Sequence, residues 1–138
     1  MGIAISPDYK PSEDEPFMNE RQREYFRQKL IRWKDEILRE AKETLHSLQI
    51  DTTTHADLAD RASTETERAN ELRARDRQRK LISKIDSALR RIDEGTYGFC
   101  EDTGEPITLR RLEARPVATL SLEAQERHER RERVYRDE

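Results

Sequence analysis

Between Phe17 and Glu94 the chain contains neither glycine nor proline, and its apolar residues fall at helical intervals. Phe26, Leu30, Trp33, Ile37, Ala41, Leu45 and Leu48 recur at steps of three and four, with charged side chains around them. Such a stripe turns one face of an α-helix toward a partner and leaves the rest to water, which predicts a first helix from about Asn19 to Ile50. Asp51-Thr52-Thr53-Thr54-His55 interrupts the pattern with β-branched and short polar side chains, and Thr54 followed by Asp57 has the form of a capping box. A second helix is therefore expected from near His55. Its apolar positions, Ala62, Ala69, Leu72, Ile82, Ile85, Leu89 and Ile92, repeat the same steps. Two long helices of similar length, each with a narrow seam, predict an antiparallel coiled-coil hairpin. Thirty helical residues reach on the order of 45 Å, and the turn near residues 51–62 is its tip.

Helix breakers set the remaining boundaries. Pro7, Pro11 and Pro16 punctuate an N-terminal segment at 1–18, the hairpin occupies 19–94, and Gly95, Gly98, Gly104, Pro106 and Pro116 open a third part at 95–138. The stretch from Gly95 to Leu120 has the turn residues and short apolar groups of a small irregular module. A charged helix follows from about Leu122, where Glu123, Glu126, Glu129 and Glu132 each precede an arginine by four positions, the favourable orientation for a solvated helix.

Composition narrows the function classes. Only 33% of the 138 residues are hydrophobic and 41% are charged, so no large compact core is available to enclose a substrate. The 27 basic and 30 acidic residues nearly cancel, which favours a charge-laced helical protein over a disordered one. A net charge of −3 gives no general attraction to DNA or acidic membranes, and sequence-specific DNA binding is not expected. No run of about 18 apolar residues exists to span a bilayer, and the single cysteine, Cys100, excludes an internal disulfide; the chain is expected in the cytoplasm as a monomer. The opening Met1-Gly2-Ile3-Ala4-Ile5-Ser6 has the form of a myristoylation signal but lacks a neighbouring basic patch. There is no Gly-rich phosphate loop, nucleophile elbow or metal-ligand cluster, so an enzyme is not expected.

Several stretches resemble the DksA family of bacterial transcription factors, in the family's order. Phe17-Met18-Asn19-Glu20 is similar to the start of its first long helix, and Asp57-Leu58-Ala59-Asp60-Arg61-Ala62 to its D-x-x-D-x-A tip signature. The basic stretch Arg75-Asp76-Arg77-Gln78-Arg79-Lys80-Leu81-Ile82 resembles that of its returning helix. Tyr97-Gly98-Phe99-Cys100 and Arg110-Arg111-Leu112-Glu113-Ala114-Arg115-Pro116 resemble its globular module. The fold so implied is mainly α: a long hairpin, a small zinc-finger-like module and a C-terminal helix. Zinc-containing members carry C-x2-C-x17-C-x2-C, whereas this chain has Cys100, Thr103, Ser121 and Ala124 at those positions. Structural zinc needs four thiolate or imidazole ligands. His46 and His55 lie on the hairpin and His128 on the last helix, each expected to be solvated, so a zinc-less branch is implied.

The resemblance also implies a mechanism. Asp57 and Asp60, one helical turn apart, would enter the secondary channel of RNA polymerase, with Ala62 leaving room for close approach. The bland reading of the same acids is that they only cap a helix. Arg77 is implied as a polymerase contact; Leu81, Lys84 and Arg115 are implied as contacts to the effector ppGpp, with Gln125 standing where the family has a further lysine. Read without the family, the basic run is a solvated helical surface whose alternation spreads the cations around the axis, and Arg115 could pair with an acid of the hairpin. The expected function is regulation of transcription initiation together with ppGpp, for example at ribosomal RNA promoters. The alternatives are a coiled-coil scaffold without polymerase function, and a transcript-cleavage factor whose tip acids hold Mg²⁺.

Overall fold

The computed structural model describes the backbone of residues 3–52 and 58–137, and the side chains of 3–46 and 64–135. Four helices follow in order: α1 (Glu20–Thr52), α2 (Leu58–Glu94), α3 (Leu109–Ala114) and α4 (Leu122–Asp137). The first two make the long helical hairpin, of 33 and 37 residues. The chain divides into two compact units, one of Met1–Leu30 with Asp86–Glu138, the other of Ile31–Ile85.

The first unit holds most of the core. Phe26, Leu30, Ala88 and Ile92 from the hairpin helices are buried, as are Tyr97, Ile107, Leu109, Leu112, Ala118 and Ala124 from the module. Phe26 lies 5.6 Å from the Tyr97 ring, and Tyr97 Oη donates to Pro116 O at 2.8 Å, so the one polar atom of this buried ring is satisfied. Burial raises the Tyr97 hydroxyl well above an ordinary phenol.

The start of α1 is tied to the segment before it. Asn19 Oδ1 accepts from Gln22 N–H at 2.9 Å, the cap geometry of a helix N-terminus. Gln22 is fully buried; its Oε1 accepts from Met18 N–H at 2.8 Å and its Nε2 donates to Ser12 O at 3.1 Å. This varies the capping box, the glutamine reaching back one residue beyond the cap. Tyr9 sits against Tyr25 edge-on at 6.1 Å, beneath the Arg21 guanidinium at 5.2 Å.

The second unit has a thin seam. Ile37 and Ile85 are buried, Trp33, Ala41, Ala69 and Ile82 half-buried. Two expected seam residues face water, Leu45 at 40% and Leu72 at 59% exposure. Leu48 and Ala62 lie outside the described side chains, and the expected start of the second helix near His55, with its Thr54–Asp57 capping box, lies outside the described residues. No helix is long and apolar enough to cross a membrane among the described residues.

Candidate interaction face and metal-site residues

On α2 part of the basic run shares one side. Arg73, Arg77, Arg79, Lys80 and Lys84 are all exposed, with Asp76 among them, while Arg75 is turned half inward with Gln78 and Leu81. Arg75 and Arg79 fall about 100° or more away from the remaining cations, as alternation by two implies. At 3.6 residues per turn, Arg73, Arg77, Lys80 and Lys84 fall within about 60° of one another, and the seam claims the other side. Leu81 is half-buried one turn before the exposed Lys84. The four cations, with Asp76 at the edge, give this face a positive sign in a chain of net charge −3.

Asp60 lies in the first turn of α2, where the helix dipole favours a carboxylate. The side chains of Asp60 and Ala62, and Asp57 as a whole, lie outside the described residues.

Arg115 belongs to the module. Thr108 caps α3, its Oγ1 accepting from Arg111 N–H at 3.2 Å, and Leu109 and Leu112 anchor this short helix in the core. Arg115 closes it as the C-terminal cap: its N–H donates to Arg111 O at 2.7 Å, and its own carbonyl accepts from Ala118 N–H at 3.0 Å. The exposed Arg115 thus stands on a backbone fixed at both ends. Lys29 Nζ reaches over from α1 to Glu113, 2.6 Å from Oε2 and 3.0 Å from the carbonyl oxygen. Burial opposes ionisation of Glu113, but the Lys29 ammonium, the Tyr25 hydroxyl and the Lys10 charge outweigh it and hold the carboxyl below its usual range.

The four positions of the zinc pattern do converge. Phe99 and Pro106 make an isolated antiparallel bridge, and Cys100 N–H donates to Glu105 O while Gly104 N–H returns to Cys100 O, both at 2.8 Å, forming a tight knuckle. Cys100 is 2% exposed and Ala124 fully buried. Burial alone would raise the Cys100 thiol; hydrogen bonds from the hydroxyls and amides of Thr103 and Ser121 reverse this and bring it to about 6. Thr103 Oγ1 also accepts from Glu105 N–H, and Ser121 Oγ from Ala124 N–H, each at 3.2 Å, so both hydroxyls are engaged in the local backbone. One thiol, two committed hydroxyls and a methyl do not fit tetrahedral zinc. Among the described residues no three His, Cys, Asp or Glu side chains are grouped to hold a metal.

Two contacts had no signal in the spacing. His128, expected to be solvated, sits with Nε2 2.7 Å from Asp102 Oδ2 and ties α4 to the knuckle turn. Lys29 with Glu113 joins residues 84 apart, a pairing no local pattern announces.

A helical hairpin with a cationic face, followed by a knuckle and short helices, defines the class: a hairpin protein with a zinc-finger-like module, whose residues at the four pattern positions do not fit zinc. Residues 22–92 match the family described as DnaK suppressor protein DksA, N-terminal domain, and residues 95–130 match the prokaryotic dksA/traR C4-type zinc finger. The chain is 74% identical over 131 residues to the RNA polymerase-binding transcription factor DksA of Caulobacter vibrioides, covering 95% of this chain and 92% of that protein. It is 43% identical over 133 residues to the Haemophilus influenzae protein of the same name, covering 96% and 92%. Among solved structures, transcription factor DksA2 from Pseudomonas aeruginosa superposes with a TM-score of 0.79 at 44% identity, covering 87% of this chain and 95% of that one. The chain belongs to the DksA family.

Proposed function

We propose that this protein is a transcription regulator that binds RNA polymerase and adjusts initiation, with no catalytic activity of its own. The observation that carries the reading is near-full-length identity of 74% to a protein named as an RNA polymerase-binding transcription factor. The positive face of α2 supports it, because it provides exposed cations at Arg77 and Lys84 to meet an acidic partner or a polyphosphate. In this reading the acidic pair Asp57 and Asp60, with Ala62, works in the secondary channel near the polymerase active centre. A carboxylate in a desolvated channel binds basic groups strongly and is costly to leave unpaired. Arg77 contacts the polymerase surface. Leu81, Lys84 and Arg115 contact ppGpp at the polymerase interface, the guanidinium as a fork and the ammonium as a point charge. The protein works as a cytoplasmic monomer, and its module folds without zinc.

The test is transcription in vitro from a ribosomal RNA promoter with purified polymerase, with this protein and ppGpp each present or absent. Inhibition by the protein, deepened by ppGpp, is expected. Transcription unchanged at saturating protein refutes the reading.

A further inference from the structure

Arg115 is an exposed side chain on a clamped stretch of backbone. Leu109 and Leu112 anchor α3 in the core, but its end leaves the core, and Ala114 and Arg115 are both exposed. Two contacts from distant parts of the chain hold the backbone on either side. Before Arg115, Lys29 Nζ donates to two oxygens of Glu113, the carboxylate Oε2 at 2.6 Å and the carbonyl at 3.0 Å. After it, the carbonyl of the buried Pro116 accepts from Tyr97 Oη at 2.8 Å. All of these residues belong to one compact unit. The two clamps differ in kind. Tyr97 is 1% exposed and belongs to the core, so its bond serves folding first. The Lys29 and Glu113 side chains are 31% and 34% exposed, where an ion pair adds little to stability. Its consequence is geometric: one ammonium bound to both the side chain and the main chain of Glu113 ties the last turn of α3 to α1.

We propose that Lys29 is a positioning residue for Arg115: by holding the end of α3 from α1, it sets the concentration at which ppGpp acts, without itself meeting the nucleotide. The proposal rests on the nucleotide reading of Arg115 above and adds a residue of another helix to it. A guanidinium fork grips a phosphate strongly only when its approach matches the phosphate oxygens, so the backbone that carries it has to be placed before the ligand arrives. Ordering done by the fold is ordering that binding does not have to supply. With its ammonium already bound to two oxygens of Glu113, Lys29 acts on the nucleotide through Arg115.

The experiment titrates ppGpp into transcription in vitro from a ribosomal RNA promoter, using the full chain as wild type, Lys29→Met, Lys29→Arg, Arg115→Ala and the double variant of Lys29→Met with Arg115→Ala. Circular dichroism and competition binding to polymerase are measured for each. Lys29→Met should raise the half-maximal ppGpp concentration about fivefold, while keeping the wild-type spectrum, polymerase affinity and inhibition without nucleotide. Lys29→Arg, which retains a cation with several donors, should recover most of that shift. In the Arg115→Ala background Lys29→Met should add nothing, because no guanidinium is left to position. Lys29→Met titrating like wild type overturns the inference and leaves Arg115 as a nucleotide contact. An equal shift in the Arg115→Ala background overturns it as well, since Lys29 then acts independently of Arg115. Loss of helix in Lys29→Met makes the lysine structural and has the same effect. Arg115→Ala responding to ppGpp like wild type removes the nucleotide reading and the inference together.

Discussion

Replacing Gly98 with alanine should be the most destabilising single-methyl change in the module, and its cost divides into two measurable parts. Gly98 has φ of +91°, a conformation that costs an L-residue about 1–2 kcal/mol. An added Cβ would also lie 3.1 Å from Met18 Cγ and 3.2 Å from Phe17 Cζ. Neither neighbour can retreat easily: Met18 is 8% exposed, and the Phe17 ring stands edge-on to Phe99 at 5.4 Å. Overpacking of this kind costs about 1–3 kcal/mol, for a total of about 2–5 kcal/mol. Gly95 and Gly104 are the controls, with φ of +81° and +73° but nothing within 4 Å of an added Cβ. Their alanine variants should lose only the conformational part, about 1–2 kcal/mol. Urea unfolding followed by circular dichroism gives all three, and adding Met18→Ala to Gly98→Ala should recover part of the difference. Equal losses for Gly98→Ala and Gly95→Ala would show that the N-terminal segment does not press on the knuckle.

Asp60→Asn should keep the wild-type melting temperature within a few degrees, since asparagine caps about as well as aspartate and the lost dipole interaction is about 0.3–1 kcal/mol, and should still bind polymerase yet fail to inhibit a ribosomal RNA promoter; full inhibition rejects a charged tip. Lys84→Ala or Arg115→Ala should each weaken the ppGpp effect with polymerase binding nearly intact, a lost contact to a charged phosphate costing about 1.5–3 kcal/mol; unchanged nucleotide response in both removes those residues from the site. Exhaustive chelation should leave the circular dichroism spectrum unchanged and elemental analysis should find no stoichiometric zinc; loss of helix on chelation refutes metal-free folding. Glu113 has its folded-state pKa lowered, so its ionised pairing stabilises the fold above the ordinary carboxyl pKa of 4.5 and is lost as pH falls below it. Wild type should therefore exceed Glu113→Gln by about 1 kcal/mol or less at neutral pH, and the gap should close in acid; a gap constant down to pH 3 would show that Glu113 acts through packing alone.

The hairpin was legible because its signal is redundant. A glycine- and proline-free run with repeated steps of three and four predicted Asn19 to Ile50, and the helix spans Glu20–Thr52. The short helix Leu109–Ala114, which overlaps the RRLEARP run, was not read from the sequence, since six helical residues offer too little periodicity. Leu72 shows where the reading stopped. Steps of three and four from Ala69 fit it to the seam, but the inward positions run through Arg68, Glu71, Arg75 and Gln78, whose polar side chains leave no mark in a pattern of apolar residues. Ala88 escaped for the opposite reason: fully buried, it carries too little apolar surface to mark a seam beside Leu89. His128–Asp102 and Lys29–Glu113 are non-local polar pairs, and nothing in local spacing encodes them.

The module holds the backbone at Arg115 in a defined place without a fitting ligand set, and the first unit shows how that is done. Zinc joins two distant loops through one atom; here Ser121 does part of that work, giving hydrogen bonds to Cys100 while its Oγ caps α4 through Ala124 N–H. Ala124, fully buried, fills the fourth ligand position with a methyl group. Hydrogen bonds of this kind are individually worth about 0.5–1.5 kcal/mol, far less than a structural metal, so packing has to carry the remainder. Tyr97 does so between Phe26 and the Pro116 carbonyl, Phe99 against Phe17, and Arg111 Nε by donating to Leu120 O at 2.9 Å. Lys29 completes the set by taking up the carbonyl of Glu113 in the last turn of α3, a group that a helix C-terminus leaves without an internal partner. Its ammonium fixes the end of α3 two residues before Arg115, so the placement of that guanidinium depends on α1 as much as on the knuckle.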